Sequence, residues 1–534
     1  MPIPINAQGA RSCVHGVVDS LYPNQLARTQ ISRAINFDLG VDGQLESRGG
    51  SQLSTALSYF SSAVGTDVTM IAELAARETT GAITYTPLIK VGDSLFKGLG
   101  TATTTVQNTL STNKPSIVNF INSTGGEIVA YADGVNFAMY DGTTWTDLLP
   151  FYQAGVGIGC PRYLWVLHNV LWASGDGNIP DIVAFCDPLS PNTNWGSNSW
   201  IRIDGGFDKI TGLNQIYDYL FIGSTTGCHI IKGSTSADFE PVQVATNVGV
   251  SSHWSIETVE AKIFFANEQG IYVGTLRAAE QDGLDTDSIS GNMSRTYESI
   301  VAGWHSSIQA LYNENKKEIY FTLQTGASST PDKMLVFSMS RSIFNAPLDA
   351  RASYDTRYVW AGYHEGLTYE SIGVLHDANN IIRMYAGGSA QQVHLLYTGF
   401  KDARPIGLDT GTDIAYEINT AEVDLTRRRK VRYFYPVLYQ KYNGAWKYQA
   451  LMNRRVIKPE TALSVLFSGN IPYWNENNPE QSTVWGGSIW DERPTLEDTL
   501  GVGTKCNTIM YILTCDGSNE LEEVSFVSYS QDIQ

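Results

Sequence analysis

The residue types that carry enzyme chemistry are present in this sequence, but their spacing does not assemble them locally. The eight histidines, His15, His168, His229, His253, His305, His364, His376 and His394, include no pair three to five residues apart, so no local metal pair forms. The cysteines, Cys13, Cys160, Cys186, Cys228, Cys506 and Cys515, include no C-x-x-C. They read as reduced thiols in apolar or small-residue surroundings. No G-x-S-x-G elbow offers a serine nucleophile. Gly155-Val-Gly-Ile-Gly159 lacks the strand, the helix and the Lys-Ser/Thr of a phosphate loop, and reads as a turn. Tyr140-Asp-Gly-Thr-Thr-Trp145 approaches a sialidase Asp box, but Asp141 and Gly142 are adjacent, so it reads as a tight turn leading to a Trp. Paired carboxylates for glycoside cleavage cannot be chosen by spacing among 54 acids. The chain is expected to be non-enzymatic, with no catalytic residues, metal or cofactor.

Two features remain. Arg427-Arg428-Arg429-Lys430, followed by Arg432, is the sharpest charge cluster: residues 411–460 hold ten Lys and Arg against five Asp and Glu, and 461–534 hold two against eleven. It reads as a solvated hairpin face, a contact with an acidic neighbouring subunit, or a phosphate-facing surface. The loop 470–494 carries Trp474, Trp485 and Trp490, candidates for docking on a partner. The net charge of −18 argues against a free-standing nucleic-acid binder. No run approaches the length of an apolar membrane span and no signal-peptide pattern opens the chain, so a soluble protein without membrane anchor is expected.

The elements that must position these residues are strands. Charged residues are only 17%, while 49 Gly, 28 Tyr and 12 Trp point to a folded, turn-rich β protein. Asp-Gly recurs at Asp42, Asp133, Asp141, Asp176, Asp204, Asp282 and Asp516, and the pair favours hairpin turns because both positions tolerate positive φ. Turn candidates at Asp42, Asp93, Asp133, Asp176, Thr225, Glu268, Glu314 and Ala378 fall mostly 40–51 residues apart, the repeat of a four-stranded propeller blade. One short helix is expected near 293–304. The expected architecture is all-β: an N-terminal arm (1–30), a β-propeller of six to eight blades (31–400), a linker (401–413) and a β-sandwich-like domain (414–534). The first hairpin, within 31–53, is expected to close the propeller against late strands.

At this point the sequence resembles the tail hub or nozzle proteins of short-tailed bacteriophages, the class that includes packaged-DNA stabilisation proteins. The residues that carry the likeness begin with Asn36-Phe-Asp-Leu-Gly-Val-Asp-Gly-Gln-Leu-Glu-Ser-Arg48-Gly49-Gly50. They continue through Leu171-Trp-Ala-Ser-Gly175, Val183-Ala-Phe-Cys-Asp187, Asn194-Trp195, Ile210-Thr-Gly-Leu213 and Tyr219-Leu-Phe-Ile-Gly223. Val248-Gly249, Lys262–Tyr272, Ala310–Asn313 and Lys317–Thr322 complete it, over residues 31–340. Cys186 stands where Ser is expected, and the C-terminal region is only loosely similar. The resemblance implies a virion tail protein, made in the host bacterial cytoplasm. Such a subunit forms a homo-oligomeric ring, a hexamer, below the portal and adaptor proteins. It extends the DNA channel, retains packaged genomic DNA without sequence specificity, and carries tail fibres or spikes. The rival expectation is a glycan-binding or glycan-cleaving propeller acting as a receptor-binding tail protein.

Overall fold

The computed structural model describes residues 7–462 apart from interior stretches, the longest at 149–158, 278–282, 345–356, 404–410 and 441–445. It then describes 495–497, 500–515 and 524–533, and beyond residue 422 it gives mainly backbone pairing. The protein is a β-propeller followed by a second β region. Among the described residues, seven four-stranded antiparallel blades occupy 68–107, 116–147, 163–202, 210–246, 257–288, 310–364 and 371–396. The last of these supplies three strands, and Ser51–Thr55 supplies the fourth by pairing with Val393–Leu396. The first strand of each blade neighbours those on either side, and the cycle returns from Ser371–His376 to Val68–Arg77. A ring closed this way leaves no free edge around its axis.

The second strand of a blade is packed on both faces by adjacent blades. A strand buried on both faces reads as a continuous apolar run and not as an alternation. Val170–Ser174, Tyr219–Ser224 and Glu318–Leu323 follow that rule, buried at nearly every position. The turns between first and second strands are tight: His168, Asn169, Tyr217 and Glu260 adopt positive φ, as two-residue hairpin loops require. The expected helix near 293–304 is one short turn, Ser294–Glu298, between 3-10 turns at Ser290–Met293 and Trp304–Ser307.

Blade six does not end at its fourth strand, Val359–His364. Arg33–Ile35 adds to it in parallel, and that segment also pairs antiparallel with Tyr416–Asn419. The sheet continues through Leu500–Cys515, Val423–Gln440 and Val524–Ile533 to the hairpin Leu45–Ser47 and Phe37–Leu39. Arg33–Ser47 therefore holds both ends of this second region, and the hairpin around Asp42 joins it instead of the ring. The strand that closes the ring is the next one, Ser51–Thr55. Ala7–Arg11 pairs with Val524–Ile533, and Lys401–Asp402 pairs with Thr412–Asp413.

The corner between the two regions is Asn36, in the left-handed conformation at φ 64°. Asn36 Nδ2 donates to the Ala415 carbonyl at 2.7 Å, and Oδ1 accepts from Arg48 Nε and the Glu365 N–H, both at 2.8 Å. Arg48 is fully enclosed. Its guanidinium forms a bidentate pair with Asp402 and donates to the Glu365 carbonyl at 2.7 Å. Both side chains of the pair are 3% exposed. Gly50 is required beside them, because a Cβ there would lie 2.3 Å from the Lys401 carbonyl oxygen. The Arg48-Gly49-Gly50 motif is thus a joint.

Beside the joint lies a second buried cluster. Lys316 Nζ bonds Asp38 Oδ2, and His364 Nε2 sits 2.9 Å from Asp38 Oδ1. The Tyr320 hydroxyl donates to Glu318 Oε2 at 2.6 Å. Burial, with Asp38 nearby, raises the Glu318 carboxyl to about 8. Lys316 and His364 hold Asp38 well below the ordinary carboxylate range.

Candidate functional site

The residues that enter the ring just ahead of a first strand converge on the propeller axis. Lys114 and Pro115 precede Ser116, Arg162 precedes Tyr163, Gln309 precedes Ala310 and Glu370 precedes Ser371. The 3-10 turn His253–Ser255 precedes the first strand of blade five. This turn ties the ring together. The Leu213 N–H donates to His253 Nδ1 at 3.2 Å, so the ring proton sits on Nε2, which donates to Ser116 Oγ at 3.2 Å. Ser116 Oγ in turn accepts from the Leu164 N–H at 3.1 Å. One imidazole of blade five thereby links blades two, three and four. Ser252 Oγ reaches the Ile308 carbonyl at 2.6 Å, which brings in blade six. The turn lies close to blade four: a Cβ on Gly212 would be 2.9 Å from His253 Cα.

Trp254 lies across the axis. Its Nε1 donates to the Pro115 carbonyl at 3.0 Å, so an indole of blade five is anchored on the entry to blade two. Lys114 Nζ lies 5.4 Å and Arg162 Cζ 5.3 Å from the centre of that ring, within cation–π range. Lys114 then spans to the far blades. Its ammonium donates to Gln309 Oε1 at 2.9 Å and approaches the Glu370 carbonyl at 3.5 Å. Gln309 is pinned by its own bonds to the Ile372 N–H and carbonyl.

The electrostatics follow from enclosure. Burial, helped by the Arg162 and Lys114 charges, lowers His253 to about 3, which keeps it neutral and preserves the tautomer its bonds need. Burial lowers Lys114 to about 7, against the opposing pull of Glu370. Burial and the Asp67 charge raise Glu370 to about 7. Burial thus moves both groups toward neutrality, while the Glu370 atom that Lys114 approaches is the backbone carbonyl. Among the described residues, no group of three or more His, Cys, Asp or Glu is placed to hold a metal.

The structure does not bring the sequence-selected candidates to this site. Arg427, Arg428, Arg429, Lys430 and Arg432 lie in the strand Val423–Gln440, where Arg429 pairs with Cys506 and Lys430 with Lys505. That strand runs between Leu500–Cys515 and Val524–Ile533. Trp474, Trp485 and Trp490 lie outside the described residues, as do Gly155 to Ile158. His168 sits at the turn between Tyr163–Leu167 and Val170–Ser174, at φ 53°. Asp141 closes its turn by accepting from the Thr143 and Thr144 N–H groups at 2.8 and 2.6 Å. Cys160, Cys186 and Cys228 are free thiols, and Cys515 is buried. The axial residues went unnoticed in the sequence because each is isolated there. Their shared signal is position, one to four residues ahead of a blade, and that emerges only once the blades are phased.

No family model matches the chain, and no curated protein matches it. Solved structures to which the chain is similar include BBS1N in complex with ARL6DN, at 8% identity and TM-score 0.39, covering 66% of this chain and 97% of that one. The N-terminal domain of Nup159 is similar at 7% identity and TM-score 0.38, covering 68% and 98%. The Dos1 propeller is similar at 9% identity and TM-score 0.36, covering 70% and 85%.

Proposed function

We propose that the chain is a non-enzymatic virion structural protein, a tail hub or nozzle subunit that assembles as a ring and extends the DNA channel of a bacteriophage tail. The observation that carries the reading is the joint. Blade six and the C-terminal region share one sheet, sealed by the buried Arg48–Asp402 pair. A subunit that bears load between a portal and its fibres is served by two regions that cannot hinge freely. The Arg48-Gly49-Gly50 motif that makes the joint is also part of the resemblance to nozzle proteins.

The axial contacts constrain the reading. Trp254, Pro115 and Lys114 cross the propeller axis, so a DNA path in such a ring runs between copies and not through a propeller. The basic strand that includes Arg427–Arg432 is the candidate surface facing an acidic neighbour or the DNA. Electron microscopy of the purified protein tests the proposal, together with antibody labelling of phage particles. Closed rings and label at the tail are expected. A strict monomer that binds or cleaves glycans would overturn the reading in favour of a receptor-binding propeller.

A further inference from the structure

We propose that the outer edge of a projecting hairpin in blade one, residues 83–86, is a self-association surface that pairs antiparallel with the same edge of a second copy of this chain. The inference goes beyond the tail reading and does not rest on it. A contact of this kind closes on two copies and leaves any ring to other surfaces.

The projection follows from strand lengths. In blade one the first two strands, Val68–Arg77 and Ile83–Val91, stay paired as far as Arg77 opposite Ile83. The third strand, Ser94–Lys97, covers the second only from Leu88 to Val91. Ile83 to Thr86 therefore stand clear of it.

The two edges of the projection are treated differently. On the inner edge, Asn119 of blade two accepts from the Ala75 N–H at 3.1 Å and donates to the Glu73 carbonyl at 3.0 Å, and Glu127 accepts from the Arg77 N–H. Side chains there take the place of a strand. On the outer edge, the Gly98 N–H donates to the Pro87 carbonyl at 2.9 Å, so Pro87 points outward. Alternation turns the N–H and C=O groups of Ile83 and Tyr85 the same way, and nothing bonds them among the described residues. Such a bare row is a template for another strand. The chain accepts an added strand once already, where Arg33–Ile35 extends blade six at Val359–His364.

The side chains favour a second copy as the occupant. Ile83 and Tyr85 share a face, and Tyr85 stacks on His376 of blade seven with ring centres 3.6 Å apart. Ile382, opposite His376 in its own hairpin, lies on that side too. Ile83 is 40% exposed and Ile382 43%, so the seam between blades one and seven is an apolar strip beside the bare edge. With Thr84 on a two-fold axis, Ile83 pairs with Tyr85 of the partner subunit and exchanges both backbone bonds, and the reverse pair does the same. Ile83 then meets an aromatic ring and Thr84 meets its own copy, both favourable cross-strand pairs. No residue from Ile83 to Pro87 is charged, so two chains of net charge −18 meet there without like charges opposed.

The test uses the full chain. Sedimentation velocity is expected to show a monomer–dimer equilibrium, weakened about tenfold or more by Ile83→Lys, which sets an ammonium from each copy at the contact. Ile121→Lys, at a 46% exposed isoleucine of blade two off this edge, is expected to leave it unchanged. The register is read separately. Thr84→Cys puts two thiols in a non-hydrogen-bonded pair with Cα atoms about 4.5 Å apart, within disulfide reach. Under mild oxidation this variant is expected to cross-link about tenfold or more faster than Thr80→Cys at the hairpin tip, with mass spectrometry joining position 84 to itself. A wild-type chain that stays monomeric at every concentration, or association untouched by Ile83→Lys, would overturn the surface. Equal cross-linking at both positions would overturn the register.

Discussion

The propeller axis and the joint beneath blade six both gather cations, and they treat them in opposite ways. At the joint, Arg48 meets Asp402 through two parallel bonds, and Lys316 meets Asp38. At the axis, Lys114 meets an amide oxygen and a carbonyl, and Arg162 lies against aromatic faces. A paired buried charge is fixed in its ionised state and serves geometry. Lys114, with no bonded carboxylate, is lowered to about 7 and remains chemically responsive. The same fold therefore holds one polar cluster that is structurally committed and one that is not.

Breaking the committed cluster gives the largest expected effect. Arg48→Leu leaves Asp402 buried without its partner, a change that destabilises by roughly 3–5 kcal/mol. Urea denaturation is expected to show that loss, or an insoluble product. A loss under about 1 kcal/mol would mean that Asp402 escapes to water. At the axis, His253→Phe keeps the ring volume but strands the Leu213 N–H, while Ser116 Oγ keeps its bonds to Leu164, and a loss of about 1–3 kcal/mol is expected. A stability equal to wild type would show that the imidazole does not stitch the blades.

The third effect depends on pH. Glu318 keeps its proton to about 8 in the folded protein but releases it near 4.5 when unfolded. Its contribution is therefore full below about 4.5 and is lost as pH rises through about 8. Glu318→Gln carries no such proton. Wild type is expected to lose stability relative to this variant across that window, as thermal melts at several pH values would reveal; parallel melting curves would refute the buried acid. The smallest effect belongs to the exposed pair Arg277–Asp285, 2.7 Å apart with side chains 54% and 66% exposed. Arg277→Ala should change stability by less than about 1 kcal/mol, and a larger loss would reveal a role beyond the ion pair.

Much of the propeller was legible, and the places where the reading slipped are instructive. The turns at Asp93, Asp133, Asp176, Thr225 and Glu268 all lie between the second and third strands of blades one to five, so the beat was genuine. At blade six the equivalent turn spans 324–332, with Ser328-Ser-Thr-Pro331 in place of a compact Asp-Gly or Asn-Gly. The turns at 314–317 and 377–381 instead join first and second strands, and the interval between them is long because blade six has the connections 324–332 and 339–358. Strand alternation likewise revealed the hairpin around Asp42 but not its partner. Pairing is decided by tertiary contacts, and Leu45–Ser47 joins a strand nearly 500 residues away. The axial cluster was hidden for a related reason. Lys114, His253, Gln309 and Glu370 have no sequence relation until the ring places them together.

Ring closure by Ser51–Thr55 has a consequence for how the protein is made. The strand leaves the ribosome early, yet its partner Val393–Leu396 follows about 340 residues later. At bacterial-to-eukaryotic synthesis speeds of about 5–20 residues per second, that strand waits roughly 17–70 s with its backbone groups unpaired. The hairpin before it waits longer still, for Val524–Ile533. Each nascent chain thus exposes a sticky strand while its neighbours on the same messenger expose theirs. Exchange of that strand between chains, giving swapped pairs instead of closed monomers, is the characteristic hazard of this topology. Slower initiation, which spaces ribosomes apart, should raise the yield of correctly closed protein.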